Sequence, residues 1–234
     1  ISITDSHFHD IYQLGYGVPI FENCLFEAYQ YWVSYGAEVY NSEIRGDSCS
    51  SYCIMTTSSS SRGGIVENNT ISNCPVYAIY TSGYRDVVRY NTIFNNSVGI
   101  QNYAYWTSDI DQPIISYNNF IDNDINVQAS YYDAFMDYNY WGVDQENTSL
   151  VASKIVDVCD SYSSGMVTFW PYYTQPIDFS DLTNLPAAVE TVTDFACKGT
   201  NPYPNITDES TLDALYFMDT TLTASRSPYY VVHQ

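Results

Sequence analysis

Three sets of side chains in this sequence are of types that do chemistry: clustered carboxylates, a histidine pair and six cysteines. The carboxylates group as Asp109/Asp111, Asp122/Asp124 and Asp157/Asp160. Two carboxyls at a set separation cleave glycosidic bonds, and several carboxylate oxygens together hold Ca²⁺. Abstracting a proton from a sugar acid would need, in addition, a base placed against them. None of the three clusters has Arg or Lys at a matching offset. Arg45, Arg62, Arg85 and Arg89 are scattered over the first half of the chain; Arg85–Asp86 and Arg89 read as surface ion pairs, worth at most about 1 kcal/mol each. No EF-hand or RTX-type spacing occurs, so a structural Ca²⁺ rests on acidic loops alone. The expectation is a protein without catalytic residues and without a cofactor. His7 and His9 flank Phe8, so alternation puts both on one outward face, as a metal pair or, as expected here, solvated side by side.

The cysteines are Cys24, Cys49, Cys53, Cys74, Cys159 and Cys197. They include no CxxC pair, and the histidines do not stand at zinc-ligand spacing from them. An even count fits disulfides in an oxidising compartment. Charge points the same way. Seven basic residues against 27 acidic ones give −20, which repels nucleic acid and anionic lipid and leaves cations or neutral glycans as partners. No apolar run approaches the roughly 20 residues of a membrane span. Tyr is abundant, with 25 residues; with Ser, Thr and Asn it suits pleated surfaces. Tyr103, Tyr105, Trp106, Tyr131 and Tyr132 are candidate sugar platforms. Four N-x-S/T sequons mark Asn68, Asn95, Asn147 and Asn205. Asn68 faces outward, Asn147 and Asn205 lie in loops, and Asn95 sits at a corner open to burial.

These residues must be positioned by a repeat. Phe8, Phe26, Ile44, Ile71, Ile93, Phe120 and Trp141 recur as inward anchors at about one solenoid coil apiece. Two residues before them stand Ser6, Cys24, Ser42, Asn69, Asn91, Asn118 and Asn139, on the same inward face. Asn69, Asn91, Asn118 and Asn139 would form a ladder with amides bonded up the stack. Asn also tolerates the left-handed backbone that corners require. A second apolar strand follows each corner, as in Val76–Tyr80, Val98–Gln101 and Ile125–Gln128. The pattern is strand, corner, strand, loop, repeated six to seven times: an all-β, right-handed parallel β-helix.

Coil geometry constrains the disulfides. Rungs lie about 4.8 Å apart. Cys24 and Cys74 fall two rungs apart, about 9.6 Å, beyond the roughly 7 Å Cα limit, and should not pair. Cys49 and Cys53 lie in the intervening loop and either bridge to one neighbour each or pair together; Cys159–Cys197 is the remaining pair.

The asparagine-marked coils resemble the repeats of the pectin-lyase-like superfamily, especially its NosD-like periplasmic and surface proteins. So do Asn139-Tyr140-Trp141-Gly142, the run from Ile155 to Asp160, and Gly165 to Pro171, which look like the shared ending of such helices. The resemblance covers about residues 1–178. It implies the fold and says little about activity, since enzymes and non-enzymes share it.

The chain opens without Met on Ile1–Thr4, and Ile3–Phe8 already matches the repeat, so an upstream segment is expected to be absent and the first rung uncapped. Residues 1–179 read as the helix and 180–220 as a linker with Pro186, Pro202, Pro204 and a short helix over 208–217. Residues 221–234 look like the opening strand of a next unit, carried by Pro228, Tyr229, Tyr230, Val231 and Val232. That tail belongs either to a tandem array or to a strand donated to the next molecule, and a head-to-tail contact that does not close makes a filament. The expected function is a secreted, cell-surface structural subunit that polymerises with its own copies. The alternatives are a glycan-binding module and a polysaccharide lyase or hydrolase.

Overall fold

The structure is a computed structural model; it describes residues 2–9, 19–27, 34–35, 37–47, 49–57, 63–83, 85–103, 112–131, 133–144, 146–157, 160, 164–190, 211–212 and 230–231. Short strands stack in parallel into a right-handed β-helix, and each full coil contributes three of them, one more than the sequence pattern suggested. The first sheet holds Ser2–Thr4, Ile20–Glu22, Glu38–Tyr40, Ile65–Glu67, Val87–Arg89 and Ile114–Ser116. The second runs from His7–His9 through Leu25–Glu27, Glu43–Arg45, Thr70–Ser72, Thr92–Phe94 and Asn119–Ile121 to Asn139–Tyr140 and Tyr172–Tyr173. The third holds Ser34–Tyr35, Tyr52–Thr57, Tyr77–Thr81, Val98–Asn102, Ile125–Ala129 and Ile155–Val156. The anchors pair in register, Phe8 with Phe26, Phe26 with Ile44, and on through Ile71 and Ile93 to Phe120. Trp141 continues the column by stacking on Phe120 at 4.9 Å.

Each coil turns from the first sheet to the second at one residue of positive φ: Asp5, Asn23, Asn41, Asn68, Tyr90, Tyr117 and Tyr138. These stand one position before the inward residues, so the left-handed backbone and the ladder fall to different side chains. Asn and Asp accept that conformation readily. Tyr does not, and the three tyrosines hold it by packing on each other. Tyr117 and Tyr138 stack at 5.4 Å, Tyr90 follows at 5.6 Å from Tyr117, and Ile177, Tyr173 and Phe179 cover them.

The tight corner turns the next backbone N–H into the core, where it needs an acceptor. The following rung supplies it. Oδ1 of Asn69 accepts from the Ser42 N–H, Asn91 from Asn69, Asn118 from Asn91 and Asn139 from Asn118, at 2.8–3.1 Å. Each Nδ2 then donates back one rung to the carbonyl of Val39, Val66, Val88 or Ile115. The expected ladder is present, and it satisfies backbone as well as side chains. A second ladder, unread in the sequence, lines the corner between the second and third sheets. There Asn73, Asn95 and Asp122 have positive φ, Asn96 accepts from the Cys74 N–H, and Asn123 from the Asn96 N–H.

One disulfide joins Cys53 to Cys74, whose Cα atoms lie 6.1 Å apart. Gly46 lies over it: a Cβ there would meet Cys53 Sγ at 2.1 Å, so only glycine fits. Cys24 and Cys49, expected in bridges, are instead buried free thiols. Cys24 stays unbridged to Cys74, as the rung spacing requires. Cys159 and Cys197 lie outside the described residues.

The expected ending works as a closure. Trp141 Nε1 donates to the Phe169 carbonyl, and Asp157, buried, accepts from the Val167 N–H. A helix not foreseen, Thr148–Ala152, is capped by Asn147. Part of the expected linker is on the sheet, since Ala188–Val189 pairs antiparallel with Tyr172–Tyr173. Asn119 ties this segment down through both Ile177 N–H and C=O. Thr211–Leu212 is a strand, not part of a helix, and it pairs with Tyr230–Val231. The rest of 208–217, with Pro228, Tyr229 and Val232, lies outside the described residues.

Asn118→Ala strands the Asn91 N–H in the core and removes the second bond to the Val88 carbonyl; at roughly 1–3 kcal/mol for an unsatisfied group, urea unfolding should show a loss of about 1–3 kcal/mol. Asn68→Gly, at an exposed positive-φ corner, should cost less than about 1 kcal/mol.

Candidate functional site

The rungs place the chemistry-bearing residues on three surfaces. The first is the second-to-third-sheet corner, where a shallow depression of about 530 Å³ is rimmed by Asp47, Asn73, Asn95, Asp122 and Asp124. Asn95 Nδ2 donates to Asn73 Oδ1 at 2.7 Å, which continues the stacking pattern on the outside. Here the structure also brings a base that sequence offsets missed. Lys154, 30 residues from Asp124, donates its Nζ to the backbone carbonyls of Asn123 at 2.9 Å and Asp124 at 3.3 Å. Coil stacking creates that proximity; no local spacing could have revealed it. The ammonium is engaged with carbonyls, not aimed at a reacting position. Among the described residues, no three His, Cys, Asp or Glu side chains stand close enough together to hold a metal ion.

The second surface is the outer face of the second sheet at its first rungs. His7 and His9 are exposed on one face as expected, with ring centroids 6.0 Å apart. His7 Nε2 meets Glu27 at 2.8 Å, and Arg45 reaches both Glu27 and Glu43 at 2.6 Å. Arg89 pairs with Glu67 at 3.0 Å and lies over the Tyr90 ring. The Arg89 pair is a surface pair as read from the sequence, whereas the pairs of His7 and Arg45 with Glu27 and Glu43 were not foreseen. The expectation for Asp86 is corrected: it is fully buried, not an exposed partner of Arg85. It accepts from Thr56 Oγ1 at 2.7 Å and from the N–H groups of Gly64 and Gly83, tying the loop after the third-sheet strand to the first sheet. Asp157 and Asp160 are likewise absorbed, with the Asp157 N–H donating to Asp160 Oδ2. Asp109, Asp111 and Arg62 lie outside the described residues.

The third surface is the outer face of the third sheet. Tyr52, Tyr77, Tyr80, Tyr103 and Tyr131 line up across it over four successive coils. Ring centroids are 5.6 Å apart for Tyr52–Tyr80, 5.8 Å for Tyr80–Tyr103 and 5.3 Å for Tyr103–Tyr131. Tyr80 and Tyr103 are nearly parallel at 24°, so they partly cover each other; Tyr131 stands at 85° to Tyr103 and is 62% exposed. Burial, aided by neighbouring phenols, pushes Tyr80 up to about 12, so Tyr80 at the centre of the row is uncharged at any physiological pH. Amides lie beside it: Gln101 Nε2 donates to the Gln128 carbonyl and to Ser130 Oγ. Of the platforms named from sequence, Tyr103 and Tyr131 are here, while Tyr105, Trp106 and Tyr132 lie outside the described residues. Tyr52, Tyr77 and Tyr80 were missed because they come from other coils, 23 or more residues before Tyr103.

The sequon residues Asn68, Asn95 and Asn147 are all exposed; Asn95 sits on the corner while its neighbour Asn96 takes the buried position. Asn147 Oδ1 caps the short helix. Asn205 lies outside the described residues. Of the free thiols, Cys49 is pushed up by burial, which makes it a poor nucleophile.

The family model described as right handed beta helix region matches residues 1–140. Among curated proteins and solved structures, no match is found. No helix among the described residues is long and apolar enough to cross a membrane.

Burial holds the carboxyls of Asp86 and Asp137 above the usual 3.8, although hydrogen bonds to Asp86 oppose the shift. A carboxyl raised on folding binds its proton more tightly in the folded chain, so stability should increase as pH falls from 7 through that range. The exposed Glu27 and Asp178 are shifted down, by His7 and Ser180 respectively, so their contribution has the opposite sign and fades below their ordinary values. Urea midpoints measured from pH 7 to 3 should therefore rise and then turn over, and Asp86→Asn should flatten the rise.

Proposed function

Since the chain belongs to the right-handed β-helix family, whose fold alone specifies no chemistry, we propose from its surfaces that it is an extracellular, non-catalytic module that binds carbohydrate. The carrying observation is the row of tyrosines in ring contact on the third sheet, flanked by Gln128 and Ser130, with Gln101 buried beneath and bonded to both. Sugars offer an apolar C–H face to aromatic rings and hydroxyls to amides, and Tyr supplies a large, rigid, amphipathic contact. The non-catalytic reading is supported by how the reactive groups are used. Asp86, Asp157 and Asp160 serve backbone N–H groups, and Lys154 serves carbonyls. The Cys53–Cys74 disulfide favours an oxidising compartment.

A second reading, assembly of copies into a filament, draws support from the tail. Tyr230–Val231 is extended and parallel-paired, the conformation that donation to a rung of another copy would use. Sedimentation at high concentration tests it: a monomer throughout excludes polymerisation, whereas polymers that dissolve on Val231→Pro would support donation by this strand.

In native gels containing a soluble neutral polysaccharide, the chain should be retarded. Tyr131→Ala and Tyr103→Ala should each remove at least about tenfold in affinity, about 1.4 kcal/mol, with urea midpoints close to the parent's. Retardation unchanged in both variants, or absent for every carbohydrate tried, would exclude this face as the binding site.

A further inference from the structure

The columns on the outer face of the third sheet carry more information than the tyrosines alone. In-register pairing makes one outward column from Met55, Tyr80, Gln101, Gln128 and Val156. Beside it runs Tyr52, Tyr77, Val98 and Ile125. Neither column contains a charge, in a chain carrying 27 acidic residues. The first sheet differs over the same coils, holding Glu67 and Arg89, while the second carries Glu27, Glu43 and Arg45 on its first rungs only and is uncharged from Thr70 to Ile121. The third sheet is uncharged along both columns, and it is the face that also carries the aromatic row.

We infer that the ligand is an extended, uncharged polysaccharide lying across several coils along the diagonal of the tyrosine row, not a terminal sugar. This rests on the carbohydrate reading above. Three features support it. The rings advance one coil at a time in steps of 5.3–5.8 Å, about the length of one sugar unit in an extended chain, and the row crosses the strands diagonally, since Tyr80 pairs with Met55, three residues beyond Tyr52, and Tyr103 stands two beyond Gln101, the partner of Tyr80. The face is a sheet surface, while recognition of a single sugar end calls for a concave site that buries most of the ligand. The depression rimmed by Asp47 and Asp122 lies instead at the corner where this sheet begins. A polyuronate would approach a chain of net charge −20 against its field, whereas a neutral chain has no such barrier. The partners offered are uncharged as well, in the phenols and the half-buried amide of Gln128, so they suit hydroxyl groups.

The test uses the full chain in native gels containing hydroxyethyl cellulose, galactomannan or polygalacturonate, with oligosaccharides of one to six units from the retained polymer as competitors. Retardation is expected by a neutral polymer and not by polygalacturonate. The competitor concentration needed should fall at least tenfold between two and four units and then level off. Tyr103→Ala, in the middle of the row, should bring the four-unit competitor back to the strength of the two-unit one. Tyr52→Ala, at its end, should shorten the length dependence by about one unit. Competition by the monosaccharide as strong as by the tetramer would overturn the extended-chain inference while leaving carbohydrate binding intact. Retention by polygalacturonate would overturn its neutrality. Failure of every polysaccharide to retard the chain would remove the carbohydrate reading itself.

Discussion

The rest of the structure depends on a hydrogen bond between a backbone N–H that the corner turns inward and the carboxamide of the next rung. The left-handed residue at each corner lets the chain reverse within one position, and the N–H after it then faces a core that offers no water. Asn69, Asn91, Asn118 and Asn139 meet that need with Oδ1 and use Nδ2 on the carbonyl of the rung behind. Because each side chain bonds the backbone of the coil before it and, through Nδ2, the Asn of the coil after it, a slip of one residue would carry every Asn out of the core and leave the inward N–H groups unpaired. The ladder thus fixes register as well as stability.

Register, once fixed, propagates to the outside. The inward column of Phe8, Phe26, Ile44, Ile71, Ile93 and Phe120 implies outward columns on either side, whose residues are neighbours whatever their separation along the chain. The tyrosines at the first corner show the consequence. Three bulky residues hold a backbone conformation they disfavour alone, because each packs on the next and the segment around Ile177 and Phe179 closes over them. The same coil-on-coil contact on the third sheet leaves Tyr103 and Tyr131 exposed, the feature on which the proposed binding face rests.

The reactive residues divide along this line. Those at corners and closures, including Asp86, Asp157 and Lys154, are used by the backbone. Those on the strand faces remain available to solvent, and among them the uncharged third-sheet face differs most from an otherwise acidic molecule.

The sequence alone determined the parallel β-helix, its anchors and its first ladder, because each is a pattern that recurs at a fixed offset within one coil. Asn69, Asn91, Asn118 and Asn139 were legible for that reason, as was the impossibility of a Cys24–Cys74 bridge. Only the tertiary structure decided what depends on adjacency between coils or on loops of unequal length. The burial of Asp86 comes from Thr56, Gly64 and Gly83 converging on it from two other segments. The choice of Cys53 over Cys49 as the partner of Cys74 comes from how the loop around Gly46 lies on the next rung. Lys154 reaches Asp124 because the last third-sheet strand stacks on the one before it. The row from Tyr52 to Tyr131 exists only in the stack, since its members are brought within ring contact by the rise of one coil on the next.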